Sequence, residues 1–229
     1  MNKFLQLDLD NVRQGPYWAV GCSFTSSVGV EDNERWANLL GEKLNSPVSV
    51  LAKPAASIPW AADQILRSDI QAGDTIFWLL TTTARIDYFS ESYQQVKMHP
   101  NLSVYKEDRD EIKKLNSLEE SILRQLLTFN WPTYMAIKSI LQVKNYCNKI
   151  GARLILGQCL INDEETDKAL LELLHKDPDF ILEFSLNVQQ GKFKIDLGTD
   201  GVHPGPKTHE YIANKFYDRY TKPLKCFSK

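Results

Sequence analysis

The chain has 229 residues, 43% of them hydrophobic and 24% charged, with a formal net charge of −2 and a pI near 6.1. A length of this order fits one domain that buries roughly 70–75% of the unfolded surface. The near-neutral balance excludes a global pull toward nucleic acid or an anionic membrane, and no apolar run reaches the ~18 residues of a spanning helix.

In chain order, the first fourteen residues, MNKFLQLDLDNVRQ, carry Asp8 and Asp10 where a secretory leader needs an apolar core. That reads as a cytoplasmic protein. Residues 17–23, YWAVGCS, form an apolar run ending at glycine and predict a buried strand. Residues 33–44 then place Trp36, Leu39, Leu40 and Leu44 at helical spacing. VSVLA at 48–52 is a second strand, and residues 59–70 open a helix with Pro59 in its first turn. DTIFWLL at 74–80 is apolar without alternation, as central parallel strands covered on both faces are.

Residues 86–114 are irregular, aromatic and charged. They open an insertion or lid of roughly residues 86–131, between the third and fourth strands. Helical patterns follow over 117–128 and 132–150, with Trp131-Pro132 marking the second start, then a strand at 153–159. Residues 164–176 are amphipathic, and residues 205–220 open with Pro206 and align Ile212, Phe216 and Tyr220. Cys22, Cys147, Cys159 and Cys226 are far apart and lack CxxC spacing, which favours free buried thiols over disulfides or a zinc site. No metal or organic cofactor is expected. His99, His175 and His209 lack any partner pattern and read as surface residues.

Alternating strands and helices predict an α/β protein. The expectation is a three-layer α/β/α sandwich, flavodoxin-like, with a mainly parallel five-stranded sheet and a helical insertion. Such sheets bind ligands at the carboxyl ends of their strands. Two stretches fall there: GCSFTSS at 21–27, and LLTTTAR at 79–85.

Near the C-terminus, GTDGVHPGPKTH holds Asp200 three residues before His203, with Pro204 next. A carboxylate this close can take the imidazole N–H, fix its tautomer and stabilise the imidazolium. Such a histidine serves a nucleophile. Cys22 is intrinsically the more reactive side chain of the first stretch, but nothing in the sequence lowers its pKa. Ser23, just past a strand, is the hydroxyl that a carboxylate-held base suits, and its own N–H can donate to an oxyanion. Thr25, Ser26 and Ser27 then read as helix-entry residues.

The pair VGCSFTSSVG and TDGVHPGPKTHEYIA resembles the SGNH, or GDSL-type, hydrolases, in a divergent GCSFT branch, and spans almost the whole chain. The resemblance implies Ser23 as nucleophile, His203 as general base and Asp200 as its orienting partner. It aligns Ala55 of LAKPAAS with the glycine whose N–H enters the oxyanion hole, and Thr82 or Thr83 with an asparagine donor. Cys22 replaces the family's first-block aspartate, and Arg85 stands where a polar contact near the site is expected. The function implied is ester hydrolysis through an acyl-enzyme, on a short acyl group such as acetyl, from a small-molecule or carbohydrate ester. The departures at Cys22, Ala55 and Thr83 keep a second class open: a catalytically silent carbohydrate-binding or virion-associated module.

Overall fold

The computed structural model describes residues 13–83, 85–89, 95–98, 131–160, 164–189 and 191–222. Five strands, β1 (Tyr17–Gly21), β2 (Val48–Ala52), β3 (Thr75–Leu80), β6 (Arg153–Gln158) and β7 (Phe180–Ile181), form one parallel sheet in the order β2-β1-β3-β6-β7. This is the flavodoxin-like order, with the chain reversing its direction across the sheet between β1 and β3. Tyr17 lies opposite both Val48 and Thr75, and Thr75 opposite Arg153. The long strands therefore run in step, and Gly21, Ala52, Leu80 and Gln158 end along one edge.

Alternate strand residues bury opposite faces of the sheet. Trp18, Val20, Ile76, Trp78 and Leu80 pack under α2 (Ile58–Arg67) and α3 (Trp131–Ile150). Ala19, Phe77, Leu79 and Ile155 pack under α1 (Trp36–Leu44) and α6 (Pro206–Thr221), with Phe184 from α5 (Leu182–Gln189). All six residues of β3 are buried, as expected of its unbroken apolar run. Helix α4 (Glu164–Leu174) contributes Leu170 and Leu174 to the first face. Gly157 of β6 is required by close approach, since a Cβ there would lie 2.7 Å from Cε2 of Phe184.

The start of the insertion, expected to be irregular, carries two short strands. Ile86–Phe89 (β4) and Gln95–Met98 (β5) pair antiparallel, with Ile86 opposite Met98 and Tyr88 opposite Val96. The physical reason is period-two spacing of apolar residues, Ile86 and Tyr88 in one strand, Val96 and Met98 in the other. The expected helix over 117–128 lies outside the described residues, whereas the one over 132–150 is α3.

Candidate active site

The turn after β1 is held by its own geometry. The backbone N–H groups of Thr25 and Ser26 both donate to Cys22 O, at 2.8 and 3.1 Å. Thr25 is fully buried, and its Oγ1 accepts from Trp36 Nε1 at 3.3 Å. A Cβ on Gly21 would collide with that same Thr25 hydroxyl, so glycine is needed at the strand end. Residues 25–27 are not the start of a helix. Ser27 and Gly29 take left-handed φ angles of 61° and 87°, which end the turn, and α1 begins only at Trp36. Ser23 sits within this turn and is 4% exposed.

The loop ahead of α6 carries Asp200 and His203. It closes as a narrow hairpin: Leu197 bridges Pro204, Gly198 N–H donates to His203 O at 2.8 Å, and Gly205 N–H to Asp196 O at 3.1 Å. Asp196, which sequence reasoning missed, caps α6. Its carboxylate accepts from Lys207 N at 3.0 Å and Thr208 N at 2.9 Å. Burial opposes its ionisation, but those N–H groups and the Thr208 hydroxyl outweigh it and hold the carboxyl below its ordinary pKa. A capping carboxylate supplied ten residues upstream, in place of Gly205 at the N-cap, leaves no local signature in the sequence.

Asp200 Oδ1 accepts from the backbone N–H of Val202 at 3.0 Å and of His203 at 2.9 Å, while Oδ2 lies 2.5 Å from His203 Nδ1. The two backbone donors, then the imidazole, hold the Asp200 carboxyl well below the usual carboxylate range. The Nδ1 contact leaves Nε2 as the atom available to a reacting group.

Two stretches far apart in sequence meet at this point. Thr199 N–H donates to Gly29 O at 2.8 Å, and a Cβ on Gly29 would lie 3.1 Å from Asp200 Oδ1 and 3.3 Å from His203 Cβ. Phe24, next to Ser23, meets the His203 ring edge-on, with centroids 6.0 Å apart. The turn of Ser23 and the turn of His203 thus pack directly together across about 180 residues of sequence.

The other strand ends frame the same edge. Ala55 follows β2 at φ +56°, a left-handed conformation that glycine adopts more readily. The next turn starts α2, where Ser57 Oγ accepts from Trp60 N at 3.0 Å. Among the described residues, no acceptor takes the backbone N–H of Ser23 or of Ala55. Past β3, Thr82 and Thr83 are both buried, and Thr83 Oγ1 lies 3.4 Å from Thr133 Oγ1 at the start of α3. Arg85 is half-buried; its Nη1 lies 3.5 Å from Ala56 O, and its Nε is buried without a partner.

Cys22, Cys147 and Cys159 are free and buried, as the spacing implied, while Cys226 lies outside the described residues. Nothing in their spacing marks two of them as neighbours. Cys159 Sγ donates to Leu80 O at 3.0 Å, and its thiol neighbours Cys22. That neighbour first, with the Arg85 charge and the Phe24 N–H, holds the Cys22 thiol well below the ordinary thiol range against the effect of burial. Burial, first, and its neighbour push Cys159 up.

His209 is not a surface residue. It is fully buried, and its Nδ1 accepts from Trp36 N at 3.1 Å, capping the first turn of α1. Burial lowers its pKa to about 4. His175 is exposed, and His99 lies outside the described residues. Among the described residues no cluster of His, Cys, Asp or Glu has the arrangement of a metal site, and no helix is long and apolar enough to cross a membrane.

No protein-family model matches the chain, and no curated protein does. Solved structures do. A member of the lipolytic G-D-S-L family from Veillonella parvula matches with a TM-score of 0.50 at 12% identity, over 90% of this chain and 98% of that one. The psychrotrophic esterase EstA from Pseudoalteromonas sp. has a TM-score of 0.48 at 10% identity, over 89% and 95% of the two chains. An acetyl xylan esterase from the rumen bacterium Butyrivibrio proteoclasticus has a TM-score of 0.47 at 12% identity, over 88% of this chain and 62% of that one. Sheet order, layer arrangement and the full-length match to the Veillonella structure agree: the chain has the α/β fold of the SGNH, or G-D-S-L, hydrolases.

Proposed function

We propose that the protein is a serine ester hydrolase with Ser23 as nucleophile, His203 as general base and Asp200 as the group that orients it. The observation that carries this reading is the Asp200–His203 Nδ1 contact of 2.5 Å, on a turn packed through Gly29 and Phe24 against the turn of Ser23. Ser23 Oγ attacks the ester carbonyl and its proton passes to His203 Nε2. Asp200, held ionised by two backbone N–H groups, stabilises the imidazolium. The N–H groups of Ser23 and Ala55, with the hydroxyl of Thr82 or Thr83, receive the oxyanion. Collapse expels the alcohol with the proton from Nε2, leaving an acyl group on Ser23 Oγ. Water, deprotonated by the same nitrogen, then releases the acid. These steps need no metal or organic cofactor.

The acyl group in this reading is short, acetyl above all, on a small-molecule or carbohydrate alcohol. The protein would act in the cytoplasm. A catalytically silent binding module is the second reading, favoured by the 4% exposure of Ser23. Release of p-nitrophenol from p-nitrophenyl acetate by the wild type, lost in Ser23→Ala, is the expected result. Equal background release by both would overturn the hydrolase.

A further inference from the structure

Arg85 is half-buried, where unpaired charge is costly. A guanidinium presents five N–H donors. Here one lies near an acceptor, Ala56 O at the long distance of 3.5 Å, and Nε is buried with none. Among the described residues no carboxylate lies within ion-pair distance of it. Buried donors in native folds are nearly always satisfied, so a donor set left open at a site's edge points to a ligand. A second cation, exposed, stands beside His203. Lys194 Nζ donates to Val202 O at 2.6 Å, beside His203, and lies 5.6 Å from the centroid of the Phe24 ring, which itself touches the His203 ring. It too lacks a carboxylate partner among the described residues. The two carboxylates of the same loop are committed elsewhere: Asp200 to His203, and Asp196 to the N-terminus of α6. Two cations without a carboxylate partner among the described residues therefore stand by the site, Arg85 beside Ala56 and Lys194 beside His203.

We propose that this site selects esters bearing a second, anionic group, held by Arg85 on the side of Ala55 and by Lys194 on the side of His203. The inference rests on the esterase reading and names its substrate class. The planar fork of Arg85 suits a carboxylate, which it can engage through two parallel hydrogen bonds. The competing account makes Cys22 the internal counter-ion of Arg85, so that the guanidinium is structural and indifferent to substrate charge.

Two matched pairs of esters separate these accounts. One places the charge on the leaving group, 4-acetoxybenzoate against its methyl ester. The other places it on the acyl group, mono-(4-nitrophenyl) succinate against its methyl ester. Ser23→Ala supplies the background rate. The wild type is expected to favour the charged member of at least one pair by about tenfold in kcat/KM, the scale of one charge-assisted hydrogen bond. Raised salt should shrink that ratio. Arg85→Met and Lys194→Met should each lower it severalfold, and Arg85→Lys should retain part of it. Circular dichroism of each variant reports whether it has folded. Hydrolysis above background with a ratio near one in both pairs would overturn the inference and leave the esterase standing. So would a preference that survives both the Arg85→Met and the Lys194→Met substitutions. No hydrolysis of any of the four esters above background would overturn both.

Discussion

Replacing His209 by glutamine should remove a pH dependence of stability that the fold builds in. His209 is fully buried and uses Nδ1 to accept the Trp36 N–H at the head of α1, so it is neutral in the native state. Burial first, and the Arg35 charge, lower its pKa from 6.5 to about 4, against the opposing pull of Asp196. Between those values the unfolded chain takes up a proton that the folded chain refuses. Its contribution is therefore complete above pH 6.5 and is lost as pH falls through that window toward 4. At about 1.4 kcal/mol per pH unit, a window of some 2.5 units corresponds to roughly 3 kcal/mol. Glutamine keeps an acceptor for the Trp36 N–H but does not titrate. Urea unfolding followed by tryptophan fluorescence, from about pH 7.5 to 4.5, should show the wild type losing stability relative to His209→Gln by up to roughly 3 kcal/mol. Acidic residues common to both proteins cancel in that difference. A difference that stays constant across the range would refute the buried, neutral assignment.

Four further outcomes follow from the geometry. Gly157→Ala forces a methyl group into the Phe184 ring and should cost about 1–3 kcal/mol in chemical denaturation, as overpacking does. Ala55→Gly relieves a left-handed alanine, and should raise stability by up to about 1 kcal/mol once the entropy of the more flexible unfolded chain is subtracted. Asp196→Ala strips two backbone donors at the start of α6 of their acceptor, and should cost about 1–2 kcal/mol in thermal unfolding. Asp200→Asn removes the charge on His203 Nδ1 and, in the proposed mechanism, should lower kcat by about 10³-fold or more with far less effect on KM.

The strands and helices around the sheet are legible because their apolar periods are clean. β3 has no polar interruption and is buried on both faces, and α6 has its Pro206 start and its Ile212, Phe216 stripe. The pairing of residues 86–89 with 95–98 is not legible in this way, since four-residue strands within an aromatic, charged stretch compete with helix and loop on nearly equal terms. The spacing of Asp200 and His203 is local, so its meaning survives in sequence. The neighbours Cys22 and Cys159 follow strands on either side of β3, and only the sheet order brings them together. The burial of His209 is hidden in the sequence for a similar reason. Its partner, the Trp36 N–H, belongs to a helix end 173 residues away, and a backbone donor leaves no trace in residue types. Arg85 is legible as a position, but its lack of a carboxylate partner among the described residues is a property of three-dimensional surroundings.

The central claim, that Ser23 is a nucleophile activated by His203, is tested most directly by labelling with a fluorophosphonate and mapping the adduct by mass spectrometry. A phosphonyl group on Ser23 of the wild type, absent in Ser23→Ala and strongly reduced in His203→Ala, is the predicted result. No adduct on the folded wild type, or one on Cys22 in its place, would contradict it.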